Sequence, residues 1–194
     1  YTGTEIKDIV FENIHIDGGK NNVGIIGQWD AAYQNASLKN ITVLGITSKA
    51  INDFGTAALI GRLEKTNLQM ENIYITGAYV ESRYSNGLLI GDAVSPVAIE
   101  NVTVDGELFG NNTGGEASQT AGLIGNYESS GNLSINNLTG NVSITGIGTS
   151  TAQSVAGVVG RISNAKGIEI VNVSMTTILN SKQYIGGLIG IFSN

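Results

Sequence analysis

An apolar tetrad closed by glycine recurs six times in this 194-residue chain, and nothing else in it constrains the fold as tightly. The copies are Gly24-Ile25-Ile26-Gly27, Ala58-Leu59-Ile60-Gly61, Leu88-Leu89-Ile90-Gly91, Gly122-Leu123-Ile124-Gly125, Gly157-Val158-Val159-Gly160 and Gly187-Leu188-Ile189-Gly190. Their closing glycines are 34, 30, 34, 35 and 30 residues apart. Self-similarity at such a period marks a repeat architecture: one unit this short cannot bury its apolar side alone, and stacked units can.

A second motif keeps step with the first. It runs Asn, aliphatic, any residue, aliphatic, any residue, Gly, starting at Asn13, Asn40, Asn72 and Asn101, with a copy at Asn172 that lacks the glycine. The fifth copy has two candidate starts, Asn141 and Asn137. Apolar residues at every second position predict a half-buried strand, and the glycine predicts a turn. The leading Asn is expected at a buried turn, bonded to its own backbone or to its counterparts in a ladder. A third apolar segment precedes each Asn motif, at 37–39, 67–71, 97–100, 133–135 and 167–171. The stretches 19–23, 48–57, 81–86 and 111–121 are rich in Gly, Ser, Asn and Thr and read as surface loops.

These elements predict an all-β parallel β-solenoid (β-helix) of about five to six coils, with about three short strands per coil, forming one domain over 1–194. Coils about 4.8 Å apart make a rod roughly 25–30 Å long. Only one of two adjacent strand residues can point inward, so the doubled aliphatic of the tetrad is expected at a bend, with its glycines allowing close approach. Two columns are expected to be buried. One is Ile14, Ile41, Ile73, Val102, Val142 and Val173; the other is Trp29, Leu63, Ala93, Tyr127, Ile162 and Phe192. The column of Gln28, Arg62, Asp92, Asn126, Arg161 and Ile191 is expected to face outward.

Composition narrows the function classes. Charged residues are 13% of the chain, against roughly 25% in an average domain, while β-branched and turn residues abound, which disfavours helical repeats. A net charge of −6 argues against nucleic acid as a partner. There is no cysteine, hence no disulfide or thiolate metal site, and no run of 18 apolar residues to span a membrane. The chain starts without Met and without a signal peptide, which points to a fragment or a processed chain. Both ends are strand-like, so each is expected to continue into or stack on further repeats, a neighbouring domain or another copy.

The Gly-Leu-Ile-Gly form of the tetrad, preceded by an Asn-aliphatic-Thr strand, resembles the GLUG repeat. The resemblance covers nearly the whole chain and is closest at residues 122–125 and 187–190; Ala58, Leu88 and Ile25 depart from it. It implies a secreted or surface protein of bacteria, of the adhesin-like or IgA-peptidase-associated kind, in which the repeats accompany other modules. The His-Glu-x-x-His signature of the zinc peptidases is absent, His15 being the only histidine, so the resemblance implies a scaffold and an extracellular or cell-surface location rather than proteolysis.

Residues able to carry chemistry have plainer roles in this pattern. His15 falls in the Asn-motif slot that holds Thr42, Tyr74, Thr103, Ser143 and Ser174 elsewhere, an ordinary outward position. Asp17 and Asp105 share a slot three coils apart, roughly 15 Å, too far for the paired carboxylates of a glycosidase. Asp92, between Arg62 and Asn126, reads as half of a surface ion pair. Calcium would need a denser oxygen loop than Asp17-Gly18-Gly19. Eight Asn-x-Ser/Thr triplets occur, at Asn35, Asn40, Asn101, Asn111, Asn132, Asn137, Asn141 and Asn172; the repeat itself generates several, leaving Asn35 and Asn111 as the better glycosylation candidates. Tyr33, Tyr79, Tyr84 and Tyr127 are scattered.

No residue is therefore assigned to catalysis, a cofactor or a metal. The expected function is a non-catalytic extracellular structural or adhesive repeat module, with a host protein or glycan surface as partner. The alternatives are a polysaccharide-binding or polysaccharide-cleaving β-helix and a self-assembling filament subunit.

Overall fold

The computed structural model describes residues 3–19, 21–50, 54–112, 118–148 and 153–193, and of residues 31–33 the backbone alone. The chain is a β-solenoid of about 5 turns, all-β, with its sheets parallel. Among the described residues no helix is long and apolar enough to cross a membrane. The tyrosine side chain at position 33 and the central parts of the 48–57 and 111–121 stretches lie outside the described residues.

One large sheet wraps most of each coil. Its members are β1 (Thr4–Gly19), β2 (Ile26–Ala50), β4 (Ile60–Ser82), β6 (Ile90–Ala93), β7 (Val97–Asn112), β9 (Ile124–Glu128), β10 (Asn132–Gly148), β12 (Val159–Ser163), β13 (Gly167–Asn180) and β15 (Ile189–Ser193). The long strands are not straight. They turn corners at residues held at positive φ: Asn40 (53°), Asn72 (57°), Asn101 (56°), Asn137 (57°) and Asn172 (55°), with further corners at Gly45 and Gly77. Asn tolerates this left-handed backbone better than other side-chain-bearing residues, which explains why it recurs there.

The tetrads hold the expected register. Trp29, Leu63, Ala93, Tyr127, Ile162 and Phe192 pair in one row across consecutive coils. All are buried except Phe192, which lies in the last described coil. The Asn-motif column needs correction at two coils. Ile41, Ile73 and Val102 continue to Leu138 and then Val173, so Asn137, not Asn141, opens the fifth copy. In the first coil Ile9 stands opposite Ile41, and Ile14 stands one corner further along, opposite Ile46. The corner slot there belongs to Asp8, also at positive φ (58°).

The stretches read as loops contribute three strands to a second sheet. It consists of β3 (Gly55–Ala57), β5 (Ser85–Gly87), β8 (Ser118–Ala121), β11 (Gln153–Ala156) and β14 (Tyr184–Gly186), in the spatial order β14-β11-β8-β5-β3. Its polar residues are buried: Thr56, Asn86 and Thr120 are fully inside. Asn86 is satisfied by its neighbours. Asn86 Nδ2 donates to the Ser82 carbonyl at 3.2 Å and to Thr120 Oγ1 at 3.3 Å, and the Ser82 hydroxyl donates to Asn86 Oδ1.

The tetrad glycines explain how this sheet is reached. The chain bends at the two residues before Ile60 and lays the next strand against the second sheet with almost no side-chain layer between. A Cβ on Gly91 would lie 2.4 Å from the Thr56 amide nitrogen and 2.7 Å from the Gly61 carbonyl oxygen. One on Gly125 would lie 2.5 Å from the Asn86 nitrogen, and one on Gly61 2.5 Å from the Gly27 oxygen. In the middle coils both aliphatics of the tetrad are consequently inside, as Leu59 with Ile60 and Leu88 through Ile90 demonstrate.

Candidate functional site

Two polar clusters stand out, and the first is internal. Asp92 was expected on the outward face, but it is only 6% exposed, because the second sheet covers its row. A Cβ on Gly55 would sit 3.0 Å from the Asp92 Cβ. Asn126 Nδ2 donates to Asp92 Oδ1 at 2.8 Å, and Arg62 Nη1 lies 3.5 Å from Oδ2. Burial pushes the Asp92 carboxyl above the ordinary carboxylate range, against the opposing pull of Asn126 and Arg62 and with help from the charges of Glu128 and Glu64. Arg62 also reaches Glu64, with Nε 2.5 Å from Oε1, and lies 5.4 Å from the Phe54 ring centroid. The surface ion pair expected for Asp92 is therefore a largely covered one.

The second cluster lies outside. The inner column Ile14, Ile46, Ala78, Gly106, Val142, Thr177 loses its bulk in the middle. At Gly106 the chain comes so near its neighbour that a Cβ would lie 2.5 Å from the Ala78 carbonyl oxygen. The register also slips between Ile75 and Ala78. Over this narrowed part of the wall runs a groove of about 510 Å³, walled by Tyr79, Asp105, Glu107, Asn141, Ser143 and Ile178.

The groove is acidic around one aromatic ring. Tyr79 donates its hydroxyl to Glu81 Oε2 at 3.0 Å, and Lys49 Nζ lies 3.5 Å from the same oxygen and 5.3 Å from the ring centroid. Partial burial, the Glu81 bond and the charges of Glu81 and Glu107 push the Tyr79 phenol up to about 12, so it stays a donor at neutral pH. Asp105 Oδ1 accepts from the backbone and side-chain nitrogens of Asn141 at 2.8 and 2.9 Å. Glu107 is exposed and makes no ion pair among the described residues.

The remaining candidates are dispersed. His15 is exposed, and its row is Thr47, Tyr79 and Glu107 rather than the Thr42 row, in which Val10 takes its expected place. Asp17 stands opposite Lys49, and Asp105 opposite Asn141, so the two do not share a slot. Tyr127 is fully buried. Of the glycosylation candidates, Asn35 is a strand residue whose Oδ1 accepts from Asn67 at 3.2 Å, and Asn111 lies within β7. Among the described residues no group of three or more His, Asp and Glu side chains is placed to hold a metal ion. Lys49, Glu81 and Glu107 escaped the sequence reading. The signal for them was the drop in inner-column volume from Ile46 to Gly106, visible only once the register is known. No family model, no curated protein and no solved structure matches this chain.

Proposed function

We propose that this chain is a non-catalytic structural and adhesive repeat module of an extracellular or surface-attached bacterial protein, built from GLUG-type repeats. The tetrads at 122–125 and 187–190 and the Asn-aliphatic-Thr strands support the family. The observation that carries the structural role is the stacking of the repeat rows in unbroken register from Trp29 to the last described coil. The stacked columns reach it in register and there emerge: Phe192 is 56% exposed, and Tyr184, Ile185 and Leu188 are also open. Apolar rows beside an unpaired parallel edge are a surface on which a further coil adds, whether it follows in the same chain or belongs to another copy.

Sedimentation velocity across a concentration series tests this reading. The expected result is end-to-end association that Ile185→Lys together with Phe192→Lys abolishes. A monomer at every concentration, unchanged by those substitutions, would overturn self-stacking. The polysaccharide-cleaving alternative is less well supported. It needs two available carboxylates beside one bond; Asp92 is covered, Asp105 is engaged by Asn141 and Glu81 by Tyr79 and Lys49, which leaves Glu107 without a second.

A further inference from the structure

The groove beside Tyr79 has a feature that coil stacking does not require. Its shape comes from within. Where Ile14 and Ile46 fill the inner column in the first coils and Val142 fills it later, Ala78 and Gly106 leave it thin. A smooth rod would have kept a β-branched residue there, so the depression is specific to two coils of the repeat.

The charges then identify an occupant. Tyr79 lies between two carboxylate-bearing positions, with Glu81 on its own strand and Glu107 directly opposite in the next coil. On one side the protein supplies the cation itself: the Lys49 ammonium lies 5.3 Å from the ring centroid and 3.5 Å from Glu81. An ammonium near an aromatic face and a carboxylate is held by both the ring quadrupole and the charge. On the groove side, Glu107 makes no ion pair among the described residues, while Asn141 and Ser143 line the wall. Exposed Ile178, 68% open, supplies an apolar rim for an aliphatic stem.

We propose that the groove walled by Tyr79, Glu107 and Ile178 binds a lysine or arginine side chain from an extended basic segment of a partner protein, repeating from outside the contact that Lys49 makes from within. The aliphatic stem lies along Ile178, the cationic head meets Glu107 and the open side of the Tyr79 ring, and Ser143 takes a remaining N–H. This deepens the adhesive reading by naming the chemistry of the partner. It does not depend on coil stacking, which is measured separately by sedimentation.

The test is an amide-resolved NMR titration of the full chain with an end-capped tetralysine peptide, run at two salt concentrations. Saturable shifts are expected around Tyr79, Glu107 and Ser143, weakening as salt rises. Glu107→Gln should lower the affinity about fivefold, the worth of one partly exposed charge pair. Glu100→Gln changes net charge equally on another face and should leave the affinity unchanged. Lys49→Gln should raise it, by removing a fixed positive charge beside the Tyr79 ring. Three results would overturn the proposal: equal losses in Glu107→Gln and Glu100→Gln, shifts spread over the whole acidic surface, or binding of cellopentaose at the groove without binding of the peptide. A monomeric chain that still binds tetralysine at the groove would sink self-stacking alone and leave this inference standing.

Discussion

The glycine seam and the asparagine corner are both repeated once per coil, yet they answer to opposite requirements. At the seam, Gly61, Gly91 and Gly125 press backbone on backbone between two sheets, and no side chain fits. At the corner, Asn40, Asn72, Asn101 and Asn137 stand in the open, and their side chains bond from coil to coil: Asn72 Nδ2 to Asn40 Oδ1 at 3.0 Å, Asn101 to Asn72 at 3.2 Å, Asn137 to Asn101 at 3.0 Å. The ladder expected from the sequence is there, but it is exposed rather than buried. Recurrence at a fixed period reports that a position is constrained; it does not report whether the constraint is packing or local backbone geometry.

The comparison can be broken most severely at the seam. Gly91→Ala should destabilise by about 3 kcal/mol or more, because the atoms in the way are backbone on two sides and cannot rotate aside. Gly187→Ala is the matched control, since its Cβ would meet nothing within 4 Å. Equal losses in chemical denaturation would show that seam glycines matter for flexibility and not for contact. Leu63→Ala, at a fully buried position of the tetrad row, should cost about 2–5 kcal/mol through lost burial and the cavity left behind.

At the corner the effect should be smaller and of a different kind. Asn72→Ala forces an ordinary side chain into left-handed backbone and should cost about 1–2 kcal/mol. Asn72→Gly accepts that φ freely and should cost clearly less, although it deletes the same ladder bonds. If the two variants lose equal stability, the ladder and not the backbone holds the corner.

The smallest effect concerns the carboxylate behind the seam. Burial raises the Asp92 pKa in the folded chain above its unfolded value, so the folded state holds the proton more tightly. Stability then falls as pH rises from the ordinary carboxylate range through the raised value, and the loss is complete above it. Asp92→Asn has no such titration and leaves Arg62 its contact with Glu64. Its melting temperature should exceed that of the unaltered chain at pH 7, with the difference gone below about pH 4. A less stable variant at pH 7 would mean that the Arg62 ion pair outweighs the cost of burial.

How much was legible follows from the same contrast. The tetrad row from Trp29 to Phe192 was readable because its glycines pin the phase of every copy. The Asn row was misread where more than one residue suits a corner. In the first coil both Asp8 and Asn13 sit at positive φ, and the motif selected Asn13, which belongs to the corner bearing Gly45 in the next coil. The second sheet was missed outright. Thr56, Asn86 and Thr120 look like loop residues, and hydrogen bonds such as those of Asn86 to Thr120 and Ser82 are what make burial of polar groups tolerable. The groove was hidden for a related reason: Ala78 and Gly106 are unremarkable singly and meaningful only side by side.

The corner ladder also has a direction. Each amide donates toward the preceding coil, and the first donor, Asn40, meets the carboxylate of Asp8 at 2.7 Å. At the far end the row breaks, because Asn172 donates to Asn136 instead of Asn137. From Asn40 to Asn137 the side-chain dipoles therefore add along the axis, with their positive pole facing an acid. This is the arrangement a helix adopts when an acidic residue stands at its amino end. The ladder is thus electrically polar along its length: its Asp8 end is closed by a carboxylate, whereas its Asn137 end takes no donor from Asn172.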